Sequence, residues 1–331
     1  RLIILFAIPL MLGNICQQLY TMVDTMVVGQ IAGVEALAAL GAVDFLMWVV
    51  TGISTGLTQG FSIQLSQYYG AKDFENLRKS LAHSYRLTAF IAVGVLILSQ
   101  SFASLVLTGL HTPSNIIGMS LLYLRIIFCG IPATAAYNMF ASALRAMGNS
   151  KTPLTAMIIA SVLNVSLDIL FVAGFGWGVA GAAIATVIAQ SFSAVYCFLI
   201  LRRIDIVHLT RADFMPASGM NARLMKLGIP VVFQNIIIGV GGLVVQYVIN
   251  GYGFLFVAGF TATNKLYGLL EMAAISYGYA IITYVGQNLG AGKLDRIRKG
   301  VRSSMLLSLL TSLIISAAMF LFGKNILSLF I

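Results

Sequence analysis

The sequence predicts an all-α, polytopic helical membrane protein. Hydrophobic residues make up 59% of the 331-residue chain and charged residues 9%, where an ordinary soluble domain carries about 25% charge. The apolar residues fall in runs of roughly 20 to 30, and about 20 residues at 1.5 Å each span the hydrocarbon of a bilayer. Lys and Arg concentrate in the loops between those runs. A net charge of +10 would suggest nucleic acid in a soluble chain. Placed between apolar spans it sets membrane orientation instead, so the partner medium is the lipid bilayer and no nucleic acid is expected.

Nine spans follow in order. The first, about 2–29, runs apolar to the Gly29–Gly33 segment, and the second, 36–69, ends at Gly70 before a basic loop with Lys72, Arg78 and Lys79. The third, 81–109, stops before Pro113, and the fourth, 116–146, ends at Gly148. The fifth, 152–174, and sixth, 178–203, are separated by glycines, and the sixth closes on Arg202 and Arg203. After a charged stretch at 204–222 come spans at 223–250, 254–288 and, beyond a second basic loop, 300–331. With alternate loops on one side, 17 of the 20 Lys and Arg share the side of Arg1. Lys324 alone sits at an outer end, and Arg125 and Lys265 lie within spans. Basic loops stay inside. The expected setting is therefore the cytoplasmic membrane, multi-pass, with the amino terminus in the cytoplasm.

The chain repeats itself. Ile8-Pro9 recurs as Ile229-Pro230, and GAKDFENLRKS at 70–80 recurs as GAGKLDRIRKG at 290–300, each after a span ending in a glutamine, Gln67 and Gln287. The offsets are 221 and 220 residues. Six spans per repeat place both copies in the same orientation, as parallel halves. The expected organisation is an amino-terminal six-helix lobe at 1–203, a cytoplasmic linker at 204–222, and three helices of a second lobe at 223–331. A second repeat of three spans implies a truncated lobe, a fragment of a twelve-span protein short of roughly 100 residues.

Ionisable groups at bilayer depth cost several kcal/mol unless paired or hydrated, which singles out Asp24, Asp168 and Glu271. Asn14, Gln17, Thr21 and Asp24, spaced i, i+3, i+7 and i+10, form a polar stripe on the first span. Asn164 and Asp168, at i and i+4, share a face of the fifth. Measured from the span ends, Asp24 lies about 8 Å deep, Asp168 about 9 Å, Tyr123 about 10 Å, Thr186 about 12 Å and Asn164 about 15 Å. Oxygens from four helices at similar depth form a candidate site for a proton or Na+. The alternative reading makes each a hydrogen bond between helices. Arg125, Lys265 and Glu271 fit structural ion pairs or snorkelling side chains. Gly52, Gly56 and Gly60 give the second span a face suited to close helix packing.

LYTMVDTMVVGQIAG in the first span, LRAMGNSKTP after the fourth, SVLNVSLDILFV, GVAGAAIATVIAQ and the two Gly-Ala-basic loops together resemble the multidrug and toxic compound extrusion (MATE) family of secondary transporters, across nearly the whole chain. The resemblance implies a cation site in the first lobe at Asp24, Tyr123, Asn164, Asp168 and Thr186. It also implies a cavity between lobes for amphiphilic organic cations, to which Asn14, Gln17, Thr21 and Gln234 are assigned. Gln234 in GIPVVFQNIII stands where some branches carry a glutamate, which argues against a second-lobe Na+ site. The expected function is antiport by alternating access. H+ is favoured over Na+ as coupling ion, because neighbouring carboxylates in a low dielectric repel one another and bind a proton. No cofactor is expected, and the chain is read as a monomer. Pro9, Pro132 and Pro230 are candidate bends.

Other chemistries lack their residues. No GxxxxGK[ST] loop, HExxH or CxxC occurs, and Cys16, Cys129 and Cys197 lie in apolar spans, where they read as small buried hydrophobes. His83, His111 and His208 fall in or beside loops. A lipid-linked or polysaccharide-precursor flippase of the same superfamily is the alternative; its usual basic cavity would have to come from Arg125 and Lys265. A membrane enzyme using Asp24 and Asp168 as acid and base, or a channel, explains the duplication less well.

Overall fold

The computed structural model describes residues 2–110, 112–250 and 254–327. Arg1, His111 and the side chains of Lys265 and Lys324 lie outside them. Every regular element among the described residues is helical, as a bilayer requires of a chain that must satisfy its backbone polar groups internally. The α-helices are α1 (Leu2–Val27), α2 (Val34–Gly41), α3 (Asp44–Ala71), α4 (Phe74–Gly109), α5 (Ile117–Cys129), α6 (Ile131–Ala146), α7 (Lys151–Asp168), α8 (Gly178–Arg202), α9 (Met220–Asn250), α10 (Phe254–Gly290) and α11 (Leu294–Leu327). Seven helical stretches among the described residues are long and apolar enough to cross a membrane, eight if the bent α5–α6 pair counts as one span. At 37 residues, α10 is also longer than a bilayer needs. The protein is a multi-pass membrane protein.

Several expected spans are broken or extended. The second is divided by a turn at 42–43 into α2 and α3. The fourth bends by 46° between α5 and α6, and Pro132 sits in the first turn of α6, where its missing N–H costs nothing. Pro9 and Pro230 lie inside unbroken helices. The third span begins seven residues early, at Phe74. Asp73 caps it by accepting from the Asn76 N–H at 3.1 Å, and Glu75 pairs with Lys79 at i, i+4, so charged helix extends past the hydrocarbon edge.

The internal repeat is visible in backbone detail. After α3, Lys72 N–H donates to Tyr69 O at 3.1 Å and Asp73 N–H to Tyr68 O at 3.0 Å. After α10, Gly292 N–H donates to Leu289 O at 3.0 Å and Lys293 N–H to Asn288 O at 2.8 Å. Both are Schellman endings with a left-handed residue, Lys72 at φ 58° and Gly292 at φ 70°. Each partner is 220 positions from its counterpart.

The two repeats meet along α3, which packs on α9 and α10. A Cβ on Gly60 would strike Gly228 Cα, and one on Gly56 would lie 2.8 Å from Val232 N. Farther along, the contact becomes reciprocal: a Cβ on Gly70 would meet the Gln287 carbonyl, and a Cβ on Gly290 would meet the Gln67 carbonyl. These are equivalent positions of the two repeats, packed as in a two-fold interface. Gln287 Nε2 donates to Ala146 O at 2.8 Å and Arg145 lies 5.0 Å from the Tyr279 ring centre, which tie α10 to α6 as well. The main core of the first repeat is dense around Phe61, Leu65, Leu81, Leu144 and Leu201. Large apolar side chains such as Phe90 and Leu105 stay outside, on surface that faces lipid.

Candidate functional site

Four helices of the first repeat converge on one buried polar cluster. On α1, Tyr20 and Asp24 are one turn apart and both buried. Four residues past Asp24 the helix widens into a π turn, Val28–Ala32, and Gly33 at φ 94° turns the chain into α2. On α7, Asn164 and Asp168 are one turn apart and fully buried, at 0% exposure. Asp168 is the last α-helical residue before a second π turn, Ile169–Gly174. The two π turns pack against each other. Such turns recur at functional sites because they displace side chains from the α-helical register. Packing of α7 on both α1 and α8, and of α5 on α8, brings Tyr123 from α5 and Thr186 and Gln190 from α8 to the same place.

Asn164 Nδ2 donates to Thr186 Oγ1 at 3.4 Å, and Gln190 Nε2 donates to the Tyr20 hydroxyl at 3.2 Å. Asp24 and Asp168 are near enough to interact electrostatically, and both act on Tyr123. Both carboxylate oxygens of Asp168, together with Asn164 Oδ1 and Gln190 Oε1, are buried without a hydrogen-bond partner among the described residues. The ion pairs among those residues are Arg78–Asp213 and Lys79–Glu75, with His208 4.0 Å from Asp205; none reaches Asp168. A bare carboxylate in such surroundings carries a large desolvation cost. A proton or a small cation held by these oxygens removes it.

All five residues expected to form the cation site thus lie on the converging faces of α1, α5, α7 and α8. Tyr20 and Gln190 join them. Both were in view in the sequence, Tyr20 one turn before Asp24 and Gln190 one turn after Thr186, at the i, i+4 spacing that already linked Asn164 to Asp168. The expected polar stripe on α1 divides instead. Ten residues at 100° each leave Asn14 and Asp24 about 80° apart around the axis, so they address different neighbours. Asn14 Nδ2 donates to Ser276 Oγ on α10 at 3.0 Å, a bond between the repeats. Gln17 and Thr21 are exposed, and Thr21 Oγ1 bonds back to Gln17 O at 2.9 Å. Gln234 is exposed on α9 beside Asn235, which donates to Gly52 O at 3.0 Å. Arg125 and Glu271 are also exposed.

The MatE family model matches residues 9–170 and again 230–331, two stretches whose starts are 221 residues apart, the offset of the Ile-Pro repeat. The chain belongs to the MatE family. It is therefore a MATE transporter and not an enzyme. Among curated MATE relatives, the probable multidrug resistance protein YoeA of Bacillus subtilis is 29% identical over 335 residues, covering 99% of this chain and 72% of its own length. The probable multidrug resistance protein YpnP of the same organism is 32% identical over 295 residues, covering 89% of this chain and 66% of its own. The chain thus spans about two thirds of YpnP and somewhat more of YoeA. A solved MOP superfamily transporter from Pyrococcus furiosus superposes with a TM-score of 0.93 at 23% identity, covering 99% of this chain and 73% of that one. A multidrug resistance MATE transporter in an outward-facing conformation superposes at 0.91, with 23% identity, 100% and 74% coverage. At that identity the likeness is one of fold.

Proposed function

We propose that the protein exports amphiphilic organic cations, drugs among them, in exchange for protons that bind at Asp24 and Asp168. The observation that carries this reading is the buried Asp168 carboxylate, whose oxygens have no hydrogen-bond donor among the described residues and which lies within electrostatic range of the buried Asp24. Two acids at one buried site hold a proton readily, because two adjacent negative charges at low dielectric repel. Tyr123, Asn164 and Thr186 supply the remaining oxygens. Relatives named as multidrug resistance proteins support the substrate class.

Transport follows by alternating access. A ligand shifts a conformational equilibrium only by its difference in affinity between the two states. The proton must therefore stabilise the arrangement of the repeats with the lower drug affinity. The α3–α10 crossing closes the basic end of the bundle, and we place that end in the cytoplasm, with the protein in the cytoplasmic membrane. The polar residues outside the cluster, Asn14, Gln17, Thr21 and Gln234, line the drug path between the repeats.

Efflux of a fluorescent organic cation from proteoliposomes, under an imposed pH gradient and then an Na+ gradient, tests the reading. Export driven by the pH gradient alone is expected. Export driven only by Na+ would replace the proton with Na+ at the same oxygens, and no export under either would move the assignment to a lipid-linked precursor flippase.

A further inference from the structure

On α4 the charged residues stop at Arg86, and the next 23 residues, Leu87 through Gly109, contain no Asp, Glu, Lys or Arg. The hydrocarbon of a bilayer takes up about 20 helical residues. Arg86 therefore stands at the boundary between hydrocarbon and headgroups. It is fixed there: Nη1 donates to Phe214 O of the linker at 3.0 Å, using one of five donors on the guanidinium. One turn away, His83 Nδ1 lies 2.7 Å from Asn221 Oδ1 and its Nε2 lies 3.1 Å from Met215 O. These contacts clasp the linker and the start of α9 onto α4, and they place Asn221 beside Arg86 in the lining of one groove.

Between α4 and α9 at this level runs a surface groove of about 570 Å³, lined by Arg86, Leu87, Ala89, Phe90, Val93 and Asn221. Arg86, Phe90 and Val93, at i, i+4 and i+7, share one face of the helix. Phe90 is 80% exposed. The groove is apolar at hydrocarbon depth and carries the Arg86 guanidinium at headgroup depth, with no acidic side chain among its lining residues. Nearby Asp213 is engaged by Arg78 at 3.7 Å and by the Thr210 N–H and hydroxyl. The linker residue Met215, 66% exposed, presents a further apolar side chain at the same boundary.

We infer that this groove binds one anionic phospholipid, with the Arg86 guanidinium on the phosphate and an acyl chain along Phe90 and Val93. Positive charge at the boundary selects an anionic headgroup, and the apolar stripe below it selects a lipid over a soluble phosphate. The lipid would bridge α4 of the first repeat and α9 of the second, at the seam where the linker is clasped.

The whole protein, reconstituted with equal phosphatidylglycerol and phosphatidylcholine, is extracted in mild detergent, and the lipid retained is quantified by native mass spectrometry. Phosphatidylglycerol is expected to be enriched. Its enrichment should fall about fivefold in Arg86→Gln and equally in Val93→Trp, which fills the groove and keeps the arginine. Arg78→Gln, whose partner is Asp213, should retain it, and glycerol phosphate should not compete. Equal retention of the two lipids, an unchanged preference in both groove variants, or displacement by glycerol phosphate would overturn the inference. Unchanged melting temperatures identify variants that remain folded, and Val93→Trp decides the matter if Arg86→Gln does not fold.

Discussion

Both oxygens of Asp168 are buried without a hydrogen-bond partner among the described residues, a setting that suits an amide or a protonated acid better than a bare anion. Asp168→Asn is therefore expected to leave the protein folded, with a melting temperature at or above that of the parent, while gradient-driven efflux drops at least about tenfold because the variant cannot take up a proton. Efflux and melting measured on the same preparation check both halves of that statement. Tyr20→Phe removes the acceptor of the 3.2 Å bond from Gln190 and leaves a partly buried amide NH2 without that partner, at about 1 kcal/mol. We expect the pH dependence of efflux to shift while maximal efflux persists. An unchanged pH profile would remove Tyr20 from the site. At this scale the sequence was informative where carboxylates marked the position, since an Asp within an apolar span is costly to bury and rarely serves packing alone. Tyr20 and Gln190 stand at the same i, i+4 spacing but carry no such cost, because a Tyr or Gln in a membrane helix is ordinary and only its neighbours give it a role.

Among elements, the helices were legible from apolar run length, and their interruptions were not. Nothing in the composition of 161–174 distinguishes a π turn from an α turn; packing of the two π turns on each other selects the geometry. The bend between α5 and α6 has a visible signal in Gly130 and Pro132, whereas Pro9 and Pro230 give the same signal inside unbroken helices. In a membrane, neighbouring helices decide whether a proline bends its own. The glycine face on α3 was readable as a packing surface, but its partners 167 to 183 residues away were not. Gly70→Ala should lower stability by about 1–3 kcal/mol, since its Cβ would meet the Gln287 backbone. Gly94→Ala, in open space on α4, should instead stabilise by about 0.5–1 kcal/mol. Thermal unfolding in one detergent compares the pair, and equal effects would refute the close crossing.

For the whole molecule, the duplication organises the fold. Matching Schellman endings after α3 and α10, and the reciprocal contacts of Gly70 with Gln287 and Gly290 with Gln67, join the repeats at the seam through two equivalent surfaces. Among the described residues, the polar cluster is built from helices of the first repeat. Asn14 and Asp24 sit on one helix, however, and the Asn14–Ser276 bond connects it to α10. A change in charge at Asp24 and Asp168 thus has a short physical route to the packing between repeats. The repeat could be read from the sequence because turn chemistry and charge recur at a fixed offset; the contact between its copies needed coordinates.

Proton movement on addition of substrate tests the central claim most directly. Proteoliposomes containing the protein and a trapped pH-sensitive dye, with no imposed gradient, are given an organic cation on one side. The account predicts proton flux opposite to the cation in the parent protein and none above background in Asp168→Asn. Cation movement with equal proton flux in parent and variant would contradict it.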